Sequence, residues 1–160
     1  MVEPLPLGLR RAESADMPWL AQEIMDGSWP EPITQLPWPE WVGSDRHFVY
    51  LLEQERLLGI LAISPSEPLE LERTAIELLV WCMRPDMRNR QLGRKLLVHG
   101  ISGARRLGGD DLICWVQTSL AAPEVALSQS GFKPLMERHH FSQGPSRSER
   151  GWVLDISAYF

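Results

Sequence analysis

The stretch Ile76-Glu-Leu-Leu-Val-Trp-Cys-Met-Arg-Pro-Asp-Met-Arg-Asn-Arg-Gln-Leu-Gly-Arg-Lys-Leu-Leu97 changes its period halfway along. Thr74 to Met83 is apolar but for one charge, Glu77, as expected of a long strand. After Pro85 the residues Leu92, Leu96, Leu97, Ile101, Ala104 and Leu107 fall on one face of a helix that ends near Gly108-Gly109. A buried strand therefore runs into a basic turn that opens a helix, with Gly93 in its first turn. The amides at a helix start have no intrahelical partners, and the helix dipole adds partial positive charge there. Arg88, Arg90 and Arg94 surround this start and Gly93 admits close approach, so the turn reads as a seat for a phosphate or diphosphate. A solvated basic helix face with nothing bound is the competing reading.

Outward from this stretch, the other elements follow from pattern and punctuation. Residues 8–13 read as a short first strand, and Ser14 to Pro18 as a helix start before Trp19, Leu20, Glu23 and Ile24. Residues 28–44 hold Pro30, Pro32, Pro37 and Pro39 among Trp29, Trp38 and Trp41, which predicts an irregular or short-helix segment. His47–Leu52 and Leu57–Ile63 form an expected hairpin, followed by a loop over Ser64–Glu70. Asp111–Gln117 is a buried strand, Pro123–Ser130 a short helix, and residues 135–142 and 151–157 the last two strands. A strand-helix-strand crossover between antiparallel hairpins implies a mixed α/β (α+β) sheet in a single domain over 1–160.

The composition of the 160 residues, 44% hydrophobic and 23% charged, is that of a globular chain with a core. The longest uncharged apolar run, Leu78 to Met83, is far below the ~20 residues of a membrane span. The first residues lack a basic segment followed by an apolar one, and Cys82 and Cys114 sit in apolar runs, so a cytoplasmic protein with packed thiols is expected. The net charge of −5 conceals a block, since residues 84–106 carry seven bases against Asp86 alone while the rest is acidic. A long nucleic acid needs many phosphates neutralised over a wide face, so one compact anion suits this block better.

Arg88-Asn89-Arg90-Gln91-Leu92-Gly93, after Met83-Arg84-Pro85 and before Arg94-Lys95-Leu96-Leu97, resembles motif A of the GNAT superfamily of acyl-CoA-dependent N-acyltransferases. Gln91 replaces the first motif glycine, and Ser130-Gly131-Phe132 resembles the end of motif B. The resemblance implies a GNAT fold, a sheet of about seven strands with a splayed parallel pair in the middle and flanking helices. It also implies acetyl-CoA as cosubstrate. Its pantetheine arm would pair with the backbone of Trp81, Cys82 and Met83, and its diphosphate would sit on the turn from Arg88 through Asn89, Arg90, Gln91, Leu92 and Gly93 to Arg94.

The implied reaction is direct attack of a primary amine, of a small molecule or peptide, on the thioester. Glu77 is the candidate general base, matching a catalytic glutamate of histone-type members; a strand residue on a solvated face is the alternative. The tyrosine that usually serves as acid is here Leu127, which has no proton to give. Trp29, Trp38 and Trp41 lie in the segment that covers the acceptor pocket in such proteins, as an aromatic wall or as anchors to the core. His140 is a further candidate for the acceptor site, and neither it nor His139 has a partner at metal-ligand spacing, so no metal is expected. An N-acetyltransferase, as monomer or homodimer, is favoured over a CoA-binding module without efficient chemistry, and both over a nucleic-acid binder.

Overall fold

Alternating strand patterns and one strongly amphipathic helix build a seven-stranded sheet covered on both faces. A computed structural model describes residues 7–68, 72–87, 90–117, 121–140 and 147–159, with backbone alone at 87, 90, 117, 121–124, 136–140 and 147–149. The order is β1 (Gly8–Arg11), α1 (Met17–Ile24), α2 (Glu31–Thr34), α3 (Trp38–Val42), β2 (Phe48–Gln54), β3 (Arg56–Ser66), β4 (Ala75–Met83) and α4 (Arg90–Arg106). Then come β5 (Asp111–Gln117), α5 (Ala121–Gln129), β6 (Lys133–His140) and β7 (Arg147–Asp155). Across the sheet the strands run β1-β2-β3-β4-β5-β7-β6, antiparallel throughout except for β4 and β5.

Several boundaries differ from the sequence reading, each for a local reason. The first strand stops at Arg11 because Glu13 and Asp16 close a capping box, in which the Asp16 carboxylate accepts the Glu13 N–H at 2.7 Å. The expected loop at Ser64 is still strand: β3 runs on through Pro65 to Ser66. The ladder to β2 ends at Ile63, so Pro65 occupies a free edge where its missing N–H costs nothing. The last two strands begin at Lys133 and Arg147, earlier than expected. Within 28–44 two short helices form, each with a proline in its first turn.

Two cores result. On one face α4 packs Leu96, Leu97, Ile101 and Ala104 against Leu61, Ile63, Ile76, Leu78 and Leu112. The helix comes very close to the sheet, since a methyl group added at Gly103 would overlap the Tyr50 hydroxyl. On the other face α1 to α3 place Leu20, Ile24, Trp29, Ile33 and Trp38 over Leu51, Ile60, Ala62 and Val80. The structure thus pins the amino end of α4 to the end of β4.

Candidate active site between the diverging strands

The parallel ladder of β4 and β5 covers only Ala75–Glu77 against Asp111–Ile113. From there β4 stays with β3 and β5 turns away with β7. The parting coincides with an irregularity in β4. Leu78 opposes Ile63 and Val80 opposes Ala62, which leaves Leu79 as the extra residue of a bulge. A bulge bends and twists its strand and shifts the side-chain alternation by one. Ile76, Leu78, Trp81 and Met83 accordingly lie on the α4 side, and Leu79, Val80 and Cys82 on the α1–α3 side.

Glu77 therefore stands at the fork itself, half-buried, with Ser64 and Ile113 as its register neighbours. Alternation puts it on the same face of the sheet as the proline- and tryptophan-containing segment. Beyond the fork, the Trp81 indole N–H donates to the Gly93 carbonyl oxygen at 3.0 Å, joining the end of β4 to the first turn of α4. Leu92 and Met83 pack into the core below, and a Cβ at Gly93 would meet nothing nearer than Met83 Cγ at 3.6 Å. Cys82 and Cys114 are half-buried rather than fully packed away.

Of the expected anion seat, Arg88 and Asn89 lie outside the described residues, and Arg90 opens α4 with its backbone alone described. Gln91 and Arg94 are exposed, as is Lys95, and they share with Leu9 and Val98 a groove of about 660 Å³ on the flank of α4 next to β1. The basic block is smaller than the sequence suggests. Arg84 is fully buried: its Nε donates to the Leu57 carbonyl at 2.9 Å, and its guanidinium meets Asp26 at 2.8 Å and Glu23 at 3.6 Å. Arg105 donates to the carbonyls of Gly109 and Tyr159. Neither is available to a ligand.

The tryptophans divide in two. Trp29 and Trp38 are only 5% and 4% exposed, and the Trp38 indole donates to the Ile33 carbonyl at 2.8 Å, so both anchor the segment instead of forming a wall. Trp41 is half-buried and stacks on His47 with ring centres 5.4 Å apart. His140 closes β6, and its side chain lies outside the described residues. Leu127 is buried in the α4-side core at 2% exposure. Among the described residues there is no cluster fit to hold a metal ion and no helix long and apolar enough to cross a membrane.

Sequence reasoning missed the clamp around Arg84. Asp26 there feels opposing influences, of which burial, raising its pKa, is the largest single one. The Ser28 N–H and the Arg84 guanidinium together outweigh it and hold the carboxyl at about 2. Arg73 was missed too. It grips Asp111 through two hydrogen bonds of 2.7 and 2.8 Å and reaches Asp155 at 3.2 Å, fastening the paired ends of β4, β5 and β7. Both contacts join residues far apart in the chain, and no local pattern marks them.

Comparison with known proteins agrees with this architecture. The family model described as "Acetyltransferase (GNAT) family" matches residues 14–132. None of the curated protein sequences matches the chain. A GNAT-family protein from Desulfovibrio desulfuricans superposes with a TM-score of 0.73 at 16% identity, over 94% of this chain and 99% of the other. The ribosomal-protein-S18-alanine N-acetyltransferase of Escherichia coli does so with a TM-score of 0.66 at 19% identity, over 97% of each chain. For the spermidine/spermine N-acetyltransferase SpeG of Vibrio cholerae the values are 0.64 and 14%, over 96% of this chain and 94% of that one. These likenesses speak to the fold, and the match of the family model across most of the sequence shows that the chain belongs to the GNAT family of acyl-CoA-dependent acetyltransferases.

Proposed function

We propose that the protein transfers an acetyl group from acetyl-CoA to a primary amine, with Glu77 as general base. The observation that carries this reading is the end of the β4–β5 ladder at Glu77, with the amino end of α4 fixed beside the far end of β4. The residues present fit a CoA thioester. The edge of β4 around Trp81, Cys82 and Met83 would take the pantetheine arm as a further strand. The amides at the amino end of α4, around Gly93, would take the diphosphate, with Arg88, Asn89, Arg90, Gln91, Leu92 and Arg94 about it. Acetyl-CoA would supply the activated acyl group; the protein contributes position and a base.

An alkylammonium with a pKa of ~10.4 must lose a proton before it can attack, which costs roughly 4.6 kcal/mol at pH 7. Glu77 accepts that proton, directly or through water, as the nitrogen forms its bond to the thioester carbon. The carbon–sulfur bond then breaks and the departing thiolate takes a proton from solvent, because Leu127 offers none. Holding two reactants in line lowers the barrier by ~7–11 kcal/mol, and a base adds about 10²–10⁴-fold. Trp41 remains as the half-exposed aromatic on the acceptor side, with Trp29 and Trp38 behind it as anchors. His140 is kept as an acceptor-side candidate on sequence grounds, as is the placement of the protein in the cytoplasm.

The test is release of free thiol from acetyl-CoA with a panel of primary amines. Turnover that falls about 10²-fold or more in Glu77→Gln, with CoA affinity unchanged, is the expected result. Wild-type turnover in that variant removes Glu77 from the reaction. The buried Leu127 favours one second reading, a CoA-binding module without efficient chemistry. Tight binding of CoA with no turnover on any amine selects it.

A further inference from the structure

One buried charge joins the two substrate sides of the proposed site. Arg84 follows Met83, the last residue of β4, and precedes Pro85. It therefore lies between the strand edge that would take the pantetheine arm and the turn that would take the diphosphate. Its backbone N–H donates to the Leu58 carbonyl at 2.7 Å and its Nε to the Leu57 carbonyl at 2.9 Å, which fixes it to the start of β3. From there the guanidinium reaches Asp26 at 2.8 Å and Glu23 at 3.6 Å, with the centre of the Trp29 ring 5.7 Å away. Trp29 shares one core with Ile33, Trp38 and Trp41, so the contact continues into the segment on the acceptor side.

Holding α1 on β3 does not require this residue. Arg56 pairs with the same two carboxylates from the surface, and Glu23 also accepts the Leu57 N–H at 2.7 Å. What Arg84 adds is the connection to the end of β4. That connection is costly, because Arg84 Nη1 and the Trp29 indole N–H are buried with no hydrogen-bond partner among the described residues. Apolar side chains of similar volume often replace a buried ion pair without loss of stability, so stability is a poor reason for a charge here.

We infer that Arg84 is a positioning residue for the transfer, setting the acyl-CoA held along β4 against the tryptophan-bearing segment on the acceptor side. It touches neither substrate. It acts through Pro85 and the turn on one side and through Asp26 and Trp29 on the other. In an in-line attack, an error of about 1 Å between the reactants costs on the order of 10²-fold. Loss of Arg84 should therefore appear in kcat, with each substrate still bound. This inference rests on the transferase reading above, because it takes the end of β4 as the acyl-CoA side.

The experiment measures thiol release from acetyl-CoA by the full chain, with the amine that wild type turns over fastest, and CoA affinity by calorimetry. Arg84→Met should lower kcat about 30-fold or more while CoA affinity stays within about threefold. Arg84→Lys, which keeps a charge for Asp26, should recover about tenfold of that loss. Arg56→Ala, which removes the exposed partner of the same carboxylates, should keep kcat within about threefold of wild type. The double variant Arg84→Met with Asp26→Asn removes both charges of the buried pair, and it keeps the comparison informative should the single variant fold poorly. Matched to wild type by thermal melting, it should show the same loss of kcat. A kcat within about threefold of wild type in the folded Arg84→Met or double variant, an equal loss in Arg56→Ala, or a matching loss of CoA affinity overturns this inference and leaves the transferase reading standing. No thiol release by wild type with any amine overturns the transferase reading, and this inference with it.

Discussion

The two ends of the β4–β5 pair are built from the same two strands to opposite effect. At the start, Ala75–Glu77 ladders with Asp111–Ile113. Arg73 bridges β5 and β7 there, Thr74 N–H donates to the Asp110 carboxylate at 2.9 Å, and Asp110 N–H returns to the Thr74 carbonyl at 2.7 Å. At the far end the strands part, and β4 is held instead by helices. Trp81 ties it to α4 on one face, and Arg84 ties its continuation to α1 and the segment after it on the other. A sheet gains by laddering every strand, so a fork persists only where the surroundings fix both arms. The closed end and the helix contacts together allow the open end to stay open.

Four changes would break or sharpen this contrast, from the largest effect to the smallest. Leu112→Ala at the closed end removes a fully buried side chain and should cost about 2–5 kcal/mol in chemical denaturation. Val116→Ala on the open arm loses fewer atoms from a site 8% exposed and should cost clearly less. Equal losses would mean that the two ends are equally fastened.

Arg94→Glu separates folding from binding at the open end. The position is exposed, and an acidic group near the amino end of α4 favours the helix dipole, so the melting temperature should hold. A carboxylate facing a diphosphate should weaken CoA binding by about tenfold or more, read by calorimetry. Unchanged affinity would place the diphosphate elsewhere.

The smallest effect is one of pH. The Asp26 carboxyl lies at about 2 in the folded protein, below its value of ~3.9 in an unfolded chain. Its contribution is therefore present above about pH 4 and lost as pH falls from there towards 2. Denaturation midpoints measured across that range should decline in wild type and decline less in Asp26→Asn. Identical slopes would show that the Arg84 clamp does not link α1 to the end of β4.

Much of this was legible in the sequence because it is local. The period change at Pro85 marks β4 and α4, and the apolar stripe from Leu92 to Leu107 gives the helix its face. The helix does end before Gly108, whose φ of +82° lies in the left-handed region. The candidate site was legible only in part. Arg84 counted among the bases of the basic block until burial set it against Asp26, and of the two readings of Trp29 and Trp38, wall or anchor, only burial selected the anchor. The bulge at Leu79 gave no signal, because it is set by the pairing of β4 with β3.

The amino-acid sequence by itself determined the kinds and order of the elements and the basic turn at the head of α4, since steric preference and hydrophobic period act between near neighbours. The tertiary structure alone decided where β4 and β5 part and which arginines are consumed by carboxylates. Those outcomes depend on register and on desolvation, and both are fixed only when distant segments meet.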